Sequence, residues 1–331
     1  MNNKKVLVTG GAGFIGSHIV DELLKLDLDV VVIDDLSGGF TENVNPNVKF
    51  VEGDIGNVDF INNLFTAEKF DYVFHLAAYA AEGLSHFIKH FNYQNNLIGS
   101  VNLINASINN DIKCFVFTSS IAVYGAGQLP MTENTKPQPE DSYGISKYAI
   151  ELELEASRRM FGLNYVIFRP HNVYGERQNI GDKYRNVVGI FMNQIMQNKP
   201  LTIFGDGEQQ RAFTYIGDVA PIIANSIFNP SAYNDIFNIG SNTFASVNKL
   251  VKIVADAMDT EVTVNHLLAR NEVVNAYSDH SKAQNILGYQ DITSLEDGVK
   301  KMALWAKKEG SKQSKKFENI EITKNLPPSW A

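Results

Sequence analysis

Short apolar runs alternate with longer segments of helical periodicity through the first half of the chain. The first run covers residues 6–9, and the segment after it places Ile15, Ile19, Leu23 and Leu26 on one helical face. A run of four or five apolar residues is too short for a buried helix and indicates a strand. The predicted strands are 6–9, 30–33, 48–51, 72–75, 115–119 and 165–168.

Helical segments separate these strands. Residues 83–109 are mostly helical in pattern, and residues 142–161 form a long helix that is rich in Glu and Ala. Strands that alternate with helices in this rhythm predict an α/β protein with a doubly wound parallel sheet, a Rossmann fold. Ligands of such sheets bind beyond the carboxyl ends of the strands.

The pattern changes after Arg169, where we expect a smaller α/β lobe for the substrate to begin. The chain from Glu309 onward is polar and is expected to be an exposed linker, with Trp330 able to dock. The predicted elements between them are a polar stretch at 175–186, a helix at 187–198, a strand at 201–204 and strand–helix alternation over 212–258. The expected domains are 1–168, to which 212–240 returns, and an interleaved lobe at 169–331.

A glycine-rich turn joins the first strand to the first helix. The spacings Gly11-x-Gly13-x-x-Gly16 and Gly10-x-x-Gly13-x-x-Gly16 both fit a backbone turn that approaches a pyrophosphate closely. The helix that starts there directs its free N–H groups and positive dipole end at the phosphates. The residues assigned to this dinucleotide site are Gly10, Gly13, Phe14, Ile15 and Gly16.

Asp34 ends the second predicted strand, where a carboxylate can accept hydrogen bonds from an adenosine ribose. It would repel a 2′-phosphate, and no Arg or Lys lies between Asp35 and Phe40 to bind one. The sequence therefore predicts NAD rather than NADP. Further residues expected at the cofactor are Asp35, Ser37 and Gly38, then Asp54 and Ile55 beside the adenine, and the mostly small stretch Leu76, Ala77 and Ala78 after the fourth strand.

Composition narrows the class of function. The 331 residues are 44% hydrophobic, and 29 Lys and Arg against 37 Asp and Glu give a net charge of −8. This balance argues against non-specific nucleic-acid binding, which needs a basic surface. The single cysteine, Cys114, cannot form an internal disulfide and fits a buried thiol in a reducing cytoplasm. We expect no signal peptide and no membrane helix, because no apolar run approaches about 18 residues.

Tyr143 and Lys147 are four residues apart on the predicted helix and share one face. The pKa of a phenol is normally about 10. A nearby Lys⁺ and a cationic nicotinamide both favour the phenolate and so lower this pKa. Tyr143 is therefore the predicted general acid/base, and Lys147 can also hold the nicotinamide ribose. Ser120 follows the fifth strand, where a serine can hydrogen-bond the hydroxyl whose proton Tyr143 handles.

At these residues the chain resembles the extended short-chain dehydrogenase/reductase family, and more narrowly the nucleotide-sugar 4-epimerases of the UDP-glucose 4-epimerase kind. The resemblance runs from Lys5 to about Trp305. It is carried by residues 9–16, 119–125, 143–147, 169–175 and 203–207.

The resemblance implies that Ser120, Tyr143 and Lys147 are catalytic and that Asn96 and Pro170 lie near NAD. Two arginines can bind a diphosphate, and the ring of Phe204 can stack on a nucleotide base. The residues that it implies for the nucleotide sugar are Ser120, Tyr143, Asn172, Asn186, Val187, Phe204, Arg211, Arg270 and Tyr277.

The resemblance also implies a mechanism. Tyr143 removes the proton of the sugar 4-hydroxyl while C4 passes a hydride to tightly held NAD. The 4-keto sugar turns over in the pocket, and the hydride returns to its opposite face. NAD is regenerated in each turnover.

Other functions on the same scaffold remain open. Nucleotide-sugar 4,6-dehydratases carry an Asp-Glu pair where this chain has Ile121 and Ala122, which argues against water loss. A net nucleotide-sugar oxidoreductase and a decarboxylase are alternatives. A non-catalytic NAD-binding scaffold conflicts with the intact Ser120, Tyr143 and Lys147.

Three departures from the epimerase pattern leave the sugar and the base open. Residues 80–85 lie where relatives often place a Lys or Gln, Ala212 replaces a common acidic residue, and 270–277 is one residue shorter than usual. Whether Ala276 or Tyr277 then lines the sugar pocket is ambiguous.

In this family the helices equivalent to 83–109 and 142–161 build a dimer interface, so we expect a homodimer. We expect no metal site, because His86 and His90 lack a third ligand at metal spacing.

Overall fold

The computed structural model describes residues 4–127, 129–269, 275–313, 317–327 and 330. Its strands are β1 Lys5–Thr9, β2 Asp29–Asp34, β3 Lys49–Glu52, β4 Tyr72–His75, β5 Cys114–Thr118, β6 Tyr165–Pro170, β7 Val173–Tyr174, β8 Leu201–Phe204, β9 Gln210–Ala212, β10 Thr214–Tyr215, β11 Asp235–Ile239, β12 Phe244–Ser246, β13 Val264–Leu267 and β14 Asn275–Ala276.

Helices connect these strands. They are α1 Phe14–Lys25, α2 Val58–Glu68, α3 Glu82–Ser85, α4 Lys89–Tyr93, α5 Gly99–Asn109, α6 Ser142–Phe161, α7 Val187–Met196, α8 Ile216–Asn225, α9 Val247–Met258, α10 Ser281–Leu287 and α11 Leu295–Glu309. A π-helical turn over Gln94–Ile98 joins α4 to α5, so the predicted helical region 83–109 is in two pieces, α3 and a continuous run over 89–109. Among the described residues, no helix is long and apolar enough to cross a membrane.

A seven-stranded parallel sheet in the order β11-β6-β5-β4-β1-β2-β3 forms the centre of the described structure. This confirms the predicted α/β fold with a doubly wound sheet. The strand order reverses between β1 and β4, and ligands bind at such a switch point. Strand β11 lies within 212–240, the stretch that was expected to return to the first lobe.

Two apolar cores cover the faces of the sheet, because alternate residues of a strand point to opposite sides. Val6 and Val8 of β1 pack on one face with α1 and α8. Leu7 packs on the other face with α2, α5 and α6. Cys114 belongs to the first core, where burial raises the pKa of its thiol.

A third core is formed away from the sheet by α7, α9 and α11 with β8. Phe191, Leu250 and Met302 are fully buried in it. This separate core is consistent with a second lobe, and the division at residue 168 stays a prediction.

The C-terminal segment differs from the expected exposed linker. Phe317 packs on Phe91 at 4.9 Å between ring centroids, and Glu321 accepts hydrogen bonds from the backbone of His90 and Phe91, each at 2.8 Å. Trp330 is 5% exposed and lies in a small apolar cluster with residues of α3. The docking of Trp330 was expected, whereas the contacts of Phe317 and Glu321 were not predicted. We call residues 311–330 the C-terminal strap.

Candidate active site

The glycine turn after β1 is packed too closely for side chains. Gly10 has φ +71°, and a Cβ there would lie 2.7 Å from the backbone nitrogen of Ala77. A Cβ on Gly16 would lie 2.1 Å from the carbonyl oxygen of Gly10. Helix α1 begins at Phe14, and no side chain caps its N-terminus. The turn therefore exposes helix N–H groups to a ligand, as a dinucleotide diphosphate requires.

Asp34 has a role that the sequence did not predict. Its Oδ2 accepts a hydrogen bond from the Ala12 amide at 3.0 Å, and its Oδ1 accepts one from the Leu36 amide at 2.9 Å. The carboxyl is 8% exposed, and burial raises its pKa. Asp34 thus fastens the glycine turn to the end of β2, next to where we assign the ribose.

The loop after β4 is fixed by a buried polar chain. Thr9 Oγ1 accepts hydrogen bonds from the amides of Leu76 and Ala77, both at 3.2 Å, and pairs with His75 Nδ1 at 2.7 Å. Asn96 lies behind the same loop, where its side chain bonds both backbone groups of Tyr79. The predicted residue Asn96 therefore shapes the cofactor wall through the backbone.

The other assigned cofactor residues lie at the ends of β2, β3 and β6. Asp35 binds the amide and hydroxyl of Ser37, at 2.9 and 2.6 Å, and Asp54 binds the Gly56 amide at 2.7 Å. Ile55 is buried against α5, and Pro170 ends β6. Both aspartates are exposed.

Tyr143 lies in the first turn of α6. Asp141 caps this helix by accepting the Gly144 amide at 2.9 Å, and the Tyr143 amide donates to Ser85 Oγ at 3.2 Å. Ser120, which follows β5, lies close enough to Tyr143 to lower the pKa of its phenol. The structure thus brings together the predicted general acid/base and the predicted serine.

Burial dominates the protonation of Tyr143. It raises the pKa of the phenol, and the nearby Glu82 raises it further, while Ser120 lowers it. The expected lowering by Lys147 is not what the structure gives. Lys147 Nζ lies 5.8 Å from the centroid of the Tyr143 ring and donates to the Thr118 carbonyl oxygen at 2.7 Å.

Lys147 is itself only 3% exposed. Burial lowers its pKa to about 7, against the opposing effect of Glu151. A lysine that is charged only in part near neutral pH gives less support to a phenolate. The sequence did not reveal this because burial of both groups follows from the tertiary packing.

A buried ion pair beneath the site was not predicted. Glu151 binds Arg169 through two hydrogen bonds of 2.9 and 2.5 Å, and both side chains are 2% exposed. Glu151 also accepts a hydrogen bond from Ser119 at 2.5 Å, and Arg169 donates to Tyr124 at 2.7 Å. The only hint in the sequence was that Glu151 lies four residues after Lys147 and therefore on the same face of the helix.

Most of the other residues implied for the nucleotide sugar lie after residue 168, in the predicted second lobe. Asn172 and Asn186 have φ of +42° and +47° and donate to the carbonyl oxygens of Ala212 and Val173. Val187 begins α7 directly after Asn186. The two asparagines hold loops together through these bonds.

Arg211 lies on β9, between β12 and β14. Phe204 ends β8 and is half-buried. Tyr277 stacks on Phe244 at 5.4 Å, whereas Ala276 is 8% exposed and packs in the cluster around residues 121–124. Arg270, which was expected to bind the diphosphate, lies outside the described residues.

His171 stacks on His280, with ring centroids 5.1 Å apart and the Nε2 atoms at 2.9 Å. Burial lowers the pKa of His171 to about 3 and that of His280 to about 4. The sequence gave no sign that these two histidines meet.

These features fit NAD. The glycine turn forms a cradle that a Cβ would fill, and Asp34 stands at the ribose position. Thr118 Oγ1, next to Ser120, is a buried polar atom with no hydrogen-bond partner in the described part of the chain, so it is open to a ligand. The catalytic residues lie along the same edge of the sheet.

Comparison with known proteins agrees with this geometry. Residues 6–240 match the model of the NAD dependent epimerase/dehydratase family. A putative UDP-glucose 4-epimerase of Methanocaldococcus jannaschii is 36% identical over 305 residues, covering 91% of this chain and 98% of that protein.

Two solved structures extend the comparison. The Thermotoga maritima UDP-glucose 4-epimerase with UDP-glucose is 35% identical, with a TM-score of 0.88 and coverage of 92% of this chain and 99% of that one. The Bacillus cereus UDP-glucuronic acid 4-epimerase with UDP-glucuronic acid and NAD is 31% identical, with a TM-score of 0.84 and the same coverage. The chain therefore belongs to the NAD-dependent epimerase/dehydratase family and to the UDP-sugar 4-epimerases within it.

Proposed function

We propose that this protein interconverts UDP-glucose and UDP-galactose through a transient 4-keto sugar. The observation that carries the proposal is the group of Ser120, Tyr143 and Lys147, which lie together at the edge of the sheet that carries the glycine cradle. The relatives from M. jannaschii and T. maritima support the glucose form of the substrate. The N-acetyl and uronate forms are the alternatives.

The chain's own residues handle the proton of the sugar. NAD, when bound, supplies the acceptor and donor of the hydride at C4. Tyr143 Oη takes the proton of the 4-hydroxyl and later returns it, while Ser120 orients that hydroxyl. Lys147, in its charged form, stabilises the phenolate.

Dehydration is the less favoured activity. Water loss needs a carboxyl acid and base near the sugar. Ile121 and Ala122 follow Ser120 in the 3₁₀ turn Ile121–Tyr124, at the place where dehydratases carry that pair. Glu82 and Asp141 act electrostatically on Tyr143. We propose no acid role for them, because Asp141 caps α6 and Glu82 is exposed.

The test is an incubation of the purified enzyme, without added cofactor, with UDP-glucose, UDP-N-acetylglucosamine and UDP-glucuronate in parallel. NMR would resolve the products, and absorbance would follow reduced nicotinamide. We expect the 4-epimer of UDP-glucose with no net NADH, and no epimer from Tyr143→Phe. Accumulation of NADH, or a dehydrated product, would overturn the assignment.

We also propose that the enzyme is a cytoplasmic homodimer. Three apolar side chains on neighbouring helical elements are exposed: Ile98 by 41%, Ile145 by 43% and Leu152 by 47%. Ile145 and Leu152 are two turns apart on one face of α6, and α5 packs against that helix. A second copy would cover this face.

A further inference from the structure

Arg185 lies at the mouth of the cofactor cleft, in the loop directly before α7. Its Cζ is 5.0 Å from the centroid of the Tyr79 ring. On the opposite side, a Cβ built on Gly38 would lie 3.4 Å from Arg185 Nη2. The guanidinium therefore spans the space between the loop after β2 and the loop after β4.

Both of these loops are packed against the glycine turn. A Cβ on Gly39 would lie 2.7 Å from the carbonyl carbon of Ala12, and the Phe40 amide donates to the Ala12 oxygen at 3.0 Å. The loop after β4 contacts Gly10 through Ala77, as described above. The glycine turn and the two loops thus line the cleft on three sides. Arg185, from the loop before α7, lies across the remaining side.

Asp182 holds the guanidinium in this position. Its Oδ2 accepts hydrogen bonds from Arg185 Nε at 2.7 Å and pairs with Nη2 at 2.6 Å, while its Oδ1 accepts the Tyr184 amide at 2.8 Å. A guanidinium has five N–H donors in a rigid plane. The contact with Asp182 orients the group and leaves donors for a ligand in the cleft.

The C-terminal strap braces the neighbours of Arg185. Phe317 packs on Tyr79 at 5.5 Å between centroids, and its amide donates to Tyr184 Oη at 3.1 Å. Trp330 packs on Tyr184 at 5.5 Å. The strap thereby supports Tyr79, whose ring contacts Arg185, and Tyr184, which precedes Arg185 in the chain.

We propose that Arg185 clamps a diphosphate in the cleft, as a binding residue that acts from the side opposite the glycine turn. The turn offers N–H groups and a helix dipole, and a planar guanidinium adds a charged, bidentate contact of the kind that phosphates favour. The diphosphate belongs either to NAD or to the nucleotide sugar. NAD binding is a property of the family, whereas the nucleotide-sugar source rests on the proposed function.

The experiment compares Arg185→Gln and Arg185→Lys with Lys183→Gln, which removes the same charge from the same loop. One arm measures the rate at which the holoenzyme loses NAD into NAD-free buffer. The other arm measures the affinity of the holoenzyme for UDP by calorimetry. Circular dichroism checks that each variant is folded. If Arg185→Gln does not fold, Arg185→Lys, which keeps the charge, takes its place in both arms.

Loss of one charge-assisted contact corresponds to about a 10- to 100-fold effect. Faster NAD release with unchanged UDP affinity assigns the contact to NAD, and weaker UDP binding with normal NAD retention assigns it to the nucleotide sugar. Arg185→Lys is expected to lie between Arg185→Gln and the wild type. If both Arg185 variants match Lys183→Gln in both arms, the proposal is wrong. Neither arm depends on which sugar is epimerised, so failure of the proposed function would appear separately.

Discussion

At the scale of single residues, burial sets the chemistry of the active site. Tyr143 and Lys147 both lie out of contact with water, so the charged form of each is disfavoured. Ser120 opposes this by lowering the pKa of the phenol, and Glu151 opposes it by raising the pKa of Lys147. The site therefore depends on a small number of directed contacts.

The first prediction concerns Lys147. Lys147→Met removes the positive charge that we assign to stabilise the phenolate, so kcat is expected to fall by about 10²- to 10⁴-fold. Lys89→Met, on the exposed side of α4, is the control and should leave kcat unchanged. Steady-state kinetics with the sugar found in the substrate panel would measure this. A loss of less than about tenfold would remove Lys147 from the mechanism.

The second prediction concerns the buried pair His171 and His280. Their folded pKa values, about 3 and about 4, lie below the usual value of a histidine, so the unfolded chain binds more protons at acidic pH. The free energy of unfolding should therefore fall as the pH drops below about 6.5, by about 2 kcal/mol per histidine at pH 5.

Urea unfolding at pH 7.5 and 5.0 would measure this loss. His280→Gln is expected to reduce it by about 2 kcal/mol, because the contribution of one buried histidine is removed. His86→Gln changes an exposed histidine and should leave the loss unchanged. Equal acid sensitivity in all three proteins would contradict the prediction.

At the scale of elements, α6 combines catalysis with stability. Its first turn carries Tyr143, its second carries Lys147, and its third carries Glu151 in the buried pair with Arg169. Its N-terminus is fixed by Asp141. A single helix thereby fixes the catalytic tyrosine relative to the sheet through contacts along its length.

The C-terminal strap is the second element that matters. The amides of His90 and Phe91 donate to Glu321, so they are protected from exchange only while the strap is docked. We predict that Trp330→Ala loosens the strap and speeds hydrogen exchange at these two amides. Leu304→Ala, at an exposed position of α11, is the control. Unchanged exchange in Trp330→Ala would mean that the anchor lies elsewhere in the strap.

At the scale of the whole molecule, the proposed homodimer predicts a change in mass. Ile145→Lys combined with Leu152→Lys places two charges on the apolar face of α6, and burying unpaired charges is costly. Sedimentation equilibrium should then give the 36.8 kDa of one chain instead of twice that mass. Leu304→Lys, which charges another exposed apolar site, should stay dimeric. A monomeric wild type would refute the dimer directly.

Local sequence determined the elements and the core of the site. The strand runs and the long helix at 142–161 were predicted close to their observed bounds, because strand and helix periods are visible within a few residues. The glycine turn was readable because its residues are adjacent, and Tyr143 and Lys147 because they share a helix face. The resemblance to the epimerases rested on these same short stretches.

Only the tertiary structure decided which distant residues meet. His171 and His280 are far apart in sequence, as are Asp34 and Ala12, and their contacts follow from the order of the strands. Arg185 lies beside Tyr79 and Gly38, which are distant in sequence, and the strap packs on α4 through Glu321. Neighbouring residues fix local conformation through sterics and hydrogen bonds, whereas long-range contacts and burial, and with them the protonation of Tyr143 and Lys147, exist only once the chain has folded.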